Sequence, residues 1–244
     1  HDYMGTPQEI ISALKWGYLY QGQHYHWQKK SRGQSSLDLE AENFITYIQN
    51  HDQVANSLAG DRIGALTSPA LLRAITTVWL LSPPTPMLFQ GQEFGASAPF
   101  LYFADHGARL APMVSEGRKE FLKQFPSVAA ATAAKPLDDP AAPATFERCK
   151  LDFSERERHA SLYDLHVDLL ALRRDDEGFA ARRSDRLHGA VLGPKAFLLR
   201  MFHPDGHRLI TVNLGDDLTL DPAPEPLLAP RRGRTWRRLL SSED

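Results

Sequence analysis

The sequence predicts an α/β fold in which a strand–helix–strand unit is followed by a small antiparallel β domain, and three observations carry that reading. The run Phe44 to Gln49 is apolar, β-branched and aromatic, then stops at Asn50-His51-Asp52, as a short buried strand does at its end. A helical apolar stretch up to Leu81 and a second short run, Thr85 to Phe89, follow it, and strand, helix, strand in that order is the signature of a parallel βαβ unit. Near the other end, Ala196 to Phe202 and Leu209 to Asn213 are joined by Pro204-Asp205-Gly206, a hairpin pattern.

Each element has a local reason. In Thr6-Pro7-Gln8-Glu9 the threonine hydroxyl can cap the Glu9 amide, Glu9 can reach back, and Pro7 sits where no amide partner is needed, so a helix is expected from Pro7 to about Tyr20. Gln21 to Glu42 is polar and rich in Gly, Ser, Lys and His, a long surface loop. Ser68-Pro69 repeats the capped start, and Leu71, Leu72, Ile75, Val78, Trp79 and Leu80 bury the helix that Pro83 and Pro84 end. After the aromatic loop Phe94 to Phe103, the spacing predicts an amphipathic helix over Val114 to Phe125. A proline-rich loop over Pro136 to Pro143 comes next, and Leu162, Leu165, Leu169 and Leu172 mark a helix over His159 to Arg174. Two domains are expected, 1–178 and 179–244, with Thr235 to Leu240 as one more strand-like piece of a β domain that holds too few strands to close a sandwich; both ends of the chain read as cut.

Composition excludes several classes. With 28 Lys and Arg against 30 Asp and Glu among 244 residues, the formal charge of −2 gives no basis for nucleic-acid binding. The longest apolar stretch, Ala74 to Phe89, is interrupted by Thr76, Thr77 and Ser82-Pro83-Pro84, short of the roughly 18 residues of a membrane span. The single Cys149 can form neither an internal disulfide nor a thiolate zinc site, and a reducing, cytoplasmic address fits it best. No cofactor is expected, because the chain has no G-x-G-x-x-G turn, no G-x-x-x-x-G-K cradle and no HExxH pair, and His24 and His26 flank Tyr25 without a third ligand, as solvated loop residues. Gly95-Ala96-Ser97-Ala98-Pro99 has proline where a nucleophile elbow needs glycine. The arginines at 231, 232, 234, 237 and 238 read as a solvated face.

The candidate site is Gln49-Asn50-His51-Asp52-Gln53. Polar residues that interrupt an apolar strand at its C-terminal end are aimed into the pocket of a (β/α) barrel. There an ionised Asp52 can stabilise a cationic centre, His51 can donate to sugar hydroxyls, and Gln53 offers a donor and an acceptor. The other use of such a residue is structural, with Asp52 capping the next segment. Glu93 ends the second strand in the same way, as a substrate contact or as a carboxylate tied to backbone or to an arginine. Phe94, Phe100, Tyr102, Phe103 and His106 follow, and their rings either stack on sugar faces or pack the loop down.

The segments Tyr47-Ile48-Gln49-Asn50-His51-Asp52-Gln53-Val54, Met87 to Phe94 and Pro99-Phe100 resemble the last two barrel strands of the alpha-amylase superfamily of glycoside hydrolases. Together with Tyr20-Gln21-Gly22-Gln23, Glu116-Gly117-Arg118, Thr145 to Leu151 and Val212-Asn213-Leu214-Gly215, their spacing is most similar to its malto-oligosyltrehalose trehalohydrolase family. The resemblance implies a partial (β/α)8 TIM barrel, its last strands and helices, ahead of the β domain. It also implies a retaining mechanism in which one aspartate attacks, a glutamate protonates the leaving oxygen and a second aspartate stabilises the oxocarbenium-like state. Asp52 would be that second aspartate; Asn50, His51, Gln53, Glu93 and Phe94 would contact substrate, while nucleophile and acid would belong to a missing N-terminal part of the same enzyme. The implied substrate is maltooligosyltrehalose or a related α-glucan, cut at the α-1,4 bond beside trehalose. Ala55 and Ser57 depart from the Gly and Arg usual around Asn56, so contacts over residues 55–57 are not carried over. Gly91-Gln92-Glu93-Phe94-Gly95 also suits a glycogen branching enzyme, and a non-catalytic glucan-binding fragment is the alternative outside catalysis.

Overall fold

A computed structural model describes residues 2–57, 59–123 and 137–243. Its strands are β1 His24–Tyr25, β2 Lys30–Ser31, β3 Ile45–Thr46, β4 Thr85–Pro86, β5 Leu187–Gly193, β6 Ala196–Met201 and β7 Arg208–Asn213. The helices begin with α1 Pro7–Trp16, α2 His51–Ala55, α3 Ile63–Leu66, α4 Pro69–Leu80 and α5 Ala111–Leu122. They continue with α6 Pro143–Arg148, α7 Glu155–Arg158, α8 Ala160–Asp175 and α9 Glu177–Ala180. The chain divides into two compact units, one made of 1–47, 73–87 and 165–244, the other of 48–72 and 88–164.

The first unit is built on the sheet β5-β6-β7, antiparallel throughout. Strand β6 is central and every one of its residues is buried, so its side chains supply core on both faces. Helix α1 packs on β5 and β6, where a Cβ on Gly189 would fall 2.5 Å from Ile11 Cγ2; the bare glycine lets the helix come that close. The Thr6–Glu9 capping box forms as expected, and α1 stops at Trp16, earlier than expected, because Gly17 turns left-handed at φ +84°. The hairpin through Pro204-Asp205-Gly206 is present, and β5, which no sequence pattern indicated, adds the third strand. Thr235 to Leu240, expected as strand, forms none: no ladder pairs with it, and Trp236 Nε1 instead donates to the Leu228 carbonyl at 2.7 Å. Arginines 231, 232, 234, 237 and 238 are all exposed.

The same unit holds β3, β4 and residues 73–80 of α4. Strands β3 and β4 pair in parallel, Ile45 with Thr85 and Thr46 with Pro86, with α4 between them in sequence. Both are far shorter than the runs that announced them; the pair is held by the Thr85 amide donating to the Phe44 carbonyl at 2.9 Å and the Met87 amide to that of Thr46 at 2.8 Å. The expected burial is also corrected: Ile45 is 63% exposed and Tyr47 and Met87 are exposed too, because nothing among the described residues covers that face. The expected surface loop after residue 21 contains the small antiparallel pair β1–β2.

Arg173, on α8, is buried, and its guanidinium donates to the carbonyls of Leu80 at 2.9 Å, Ser82, Pro83 at 3.1 Å and Pro84 at 2.7 Å. These are the carbonyls that the end of α4 and two consecutive prolines leave without helical donors. Burial, with Arg182 nearby, lowers the Arg173 pKa to about 10, so it stays charged at neutral pH.

Arg200, on β6, is held differently. It donates to the Leu227 and Ala229 carbonyls and, through Nε and Nη2, to Nδ1 of His207 at 3.1 and 2.8 Å. An imidazole that accepts there must be neutral, with its proton assigned to Nε2. Burial first, then Arg200 and Arg231, lower the His207 pKa. A depressed folded pKa means that the contribution is complete above the unfolded value of about 6.5 and is lost as pH falls through the folded one. Stability is therefore expected to fall as pH drops below about 6.5, with a shallower slope in His207→Asn, which keeps an acceptor near the Nδ1 position without titrating; equal slopes in the two proteins would refute the assignment.

Among the described residues, no helix is long and apolar enough to cross a membrane. The second unit contains α2, α3, α5 to α7 and the aromatic loop, and it positions the site.

Candidate active site

Asn50 sits in extended conformation and its Oδ1 accepts from the Gln53 amide at 2.8 Å, which starts α2. The cap is thus Asn50, not Asp52. Val54 and Ala55 are buried and anchor the short helix, leaving His51, Asp52 and Gln53 exposed. His51 Nε2 lies 3.6 Å from Asp52 Oδ1, with side-chain exposures of 66% and 75%. Gln49 is buried, and its Oε1 accepts from the Ile63 amide at 2.9 Å, fixing the chain just ahead of α2.

His51 and Asp52 line a pocket of about 710 Å³ with Phe100, Tyr102, Phe103 and, from α5, Val114, Arg118 and Phe121. The aromatic wall is built edge to face: Phe100 with Phe89 at 5.1 Å and with Phe103 at 5.7 Å, and Phe103 with Phe146 at 5.1 Å. Buried Leu101 donates its amide to Cys149 Sγ at 3.2 Å, and that thiol lies 3.1 Å from the Thr145 carbonyl. Buried Arg62 ties the loop down, with Nε donating to the Ala98 carbonyl and Nη1 to that of Gln90, both at 2.6 Å, and its guanidinium 4.9 Å from the Phe89 ring centre. Burial lowers the Arg62 pKa, while Cys149, Glu93 and Glu155 oppose the shift.

Arg118 donates through Nη1 to Asn56 Oδ1 at 2.9 Å and through Nη2 to the Ala55 carbonyl, and lies 4.5 Å from the Tyr102 ring centre. Burial lowers its pKa as well. Residue spacing gave no sign of the roles of Arg62 and Arg118. Both are non-local hydrogen-bond donors, which periodicity does not register.

The other expected site residues lie apart. Glu93 is half-buried on a 3₁₀ turn outside the pocket lining. Phe94 is 1% exposed and lies in the core. The left-handed Gly91 and Gly95 flank that turn, the Phe94 ring packs against Phe153 at 5.9 Å, and its carbonyl meets His159 Nδ1 at 2.9 Å. Gln53 and His106 are likewise absent from the lining. Asp52 is the one carboxylate among the described lining residues, whereas retaining hydrolysis requires a pair of carboxyl groups. One group among the described residues offers three metal-ligand atoms within 4.8 Å of one another, Glu177, His203 and Asp205 in the first unit, and none of these lines this pocket. His26 pairs with Asp2 at 3.2 Å.

Over 235 residues the chain is 36% identical to a malto-oligosyltrehalose trehalohydrolase of Deinococcus radiodurans, covering 94% of this chain and 38% of that protein. The chain is a homologue of malto-oligosyltrehalose trehalohydrolases of the alpha-amylase family. Another relative of that name, from Mycobacterium tuberculosis, is 32% identical over 224 residues, covering 89% of this chain and 37% of its own, and one from Saccharolobus solfataricus is 31% identical over 180 residues, covering 73% and 29%. A crystal structure described as a "Putative alpha Amylase" from Salmonella typhimurium superposes with a TM-score of 0.73 at 32% identity, covering 86% of this chain and 37% of that one. Residues 184–244, which hold the antiparallel sheet, match a family described as a domain of unknown function, DUF3459. The chain spans less than two fifths of the length of these trehalohydrolase relatives.

Proposed function

We propose that this chain supplies the transition-state-stabilising aspartate of a retaining glycoside hydrolase. The enzyme cleaves the α-1,4-glucosidic bond next to the trehalose end of maltooligosyltrehalose and releases trehalose. The observation that carries the reading is the pocket in which His51 and Asp52 face an aromatic wall: ring faces suit the apolar faces of glucose, imidazole and carboxylate suit its hydroxyls, and an ionised carboxylate favours a ring that turns cationic. The trehalohydrolase names of the relatives and the parallel β3–β4 pair support placing these residues in the last part of a (β/α)8 barrel.

Two carboxyl groups about 5–5.5 Å apart do the covalent chemistry in retaining enzymes. Here they belong to the rest of the longer protein, so the 244 residues alone are expected to bind glucan without turnover. The unpaired Cys149 suits a cytoplasmic enzyme. Full-length protein incubated with maltooligosyltrehalose is expected to liberate free trehalose, measured by chromatography, with retention of configuration by proton NMR. Absence of trehalose would remove the reading, and new α-1,6 linkages in the product would replace it with that of a branching enzyme.

A further inference from the structure

Helix α2 carries His51 and Asp52 but has only five residues, less than two turns, too few to hold a helix unaided. Its start is capped locally by Asn50. At its other end the Asn56 and Ser57 amides satisfy the carbonyls of Asp52, Gln53 and Val54, and the Ser57 hydroxyl also donates to Val54. The Ala55 carbonyl and Asn56 Oδ1 then remain, and both are taken by separate nitrogens of one guanidinium, that of Arg118 on α5, 62 residues further along the chain. Tyr102 lies against the same guanidinium, so its plane is set from the pocket's aromatic wall.

We propose that Arg118 is the positioning residue of this pocket: it closes the C-terminal end of α2 and so fixes the direction in which Asp52 and His51 present themselves to the sugar. It acts through α2 and donates to no atom of Asp52, so its effect is on alignment. A planar fork bridging two acceptors sets both distance and angle, which the single ammonium of lysine cannot do. The identity of the reaction rests on the function proposed above; the mechanical role does not.

The test uses full-length Arg118→Ala and Arg118→Lys with two independent readouts. Amide hydrogen exchange over residues 51–57 is expected to rise roughly tenfold in Arg118→Ala while the rest of the unit is unchanged, with a smaller rise of the same pattern in Arg118→Lys. Trehalose release should show kcat lowered at least tenfold with KM within about threefold, because misalignment acts on the reacting geometry more than on binding, and low millimolar guanidinium should restore part of kcat in the alanine variant. Unchanged exchange over 51–57 in both variants overturns the proposal. So does acceleration spread evenly over the unit, which is plain destabilisation. If alanine does not fold, the lysine variant decides on the same criterion. A wild-type protein that releases no trehalose, with a localised exchange response in the variants, removes the assigned reaction and leaves the role of Arg118 standing.

Discussion

Asp52→Asn in the full-length protein is expected to lower kcat roughly 10³-fold while changing KM less than about threefold. The substitution keeps size and shape, and since Asn50 and not Asp52 caps α2, the helix that carries residue 52 keeps its hydrogen bonds. On the proposed reading what is lost is a negative charge beside a centre that becomes cationic only on the way to products, so ground-state binding of neutral sugar should be nearly indifferent to it. Steady-state kinetics on maltooligosyltrehalose supplies both constants. Comparable losses in kcat and 1/KM would mean that residue 52 is an ordinary binding contact and would end its assignment as stabiliser.

Arg173→Ala is expected to destabilise the first unit by about 3–5 kcal/mol. Four carbonyls lose their donors together, two of them on the consecutive prolines Pro83 and Pro84, and the site is too buried for water to serve all four. Arg173→Lys should recover only part, since one ammonium has three donors and cannot span the same arc. Denaturant unfolding followed through a probe in this unit measures it; a loss under about 1 kcal/mol in the alanine variant would show that the backbone relaxes or that solvent enters.

Much of this was legible from residue order. Thr6 and Glu9 announce the start of α1 because a capping box is a local event, and the hairpin around Pro204-Asp205-Gly206 shows itself through alternation and turn chemistry that lie within a few residues of each other. The pocket was legible in part: His51 and Asp52 come together with Phe100, Tyr102 and Phe103. Strand β5 was not, since its glycines, alanine and histidine have weak strand preference and it is held by its ladder to β6, a tertiary cause. Phe94 shows the same limit from the other side. Its position after Glu93 suggests a pocket residue, but two left-handed glycines reorient the turn and send the ring into the core. Arg62, Arg118 and Arg173 act on carbonyls 28 to 93 residues away, a range at which local patterns carry no information.

Because the chain has a single sulfhydryl and packing shields it, a maleimide can reach that atom only when the aromatic loop and the end of α6 come apart. The rate of alkylation is then expected to report on the opening of the contact between Leu101 and Cys149, and an occupant that braces the rings is expected to slow it without touching sulfur.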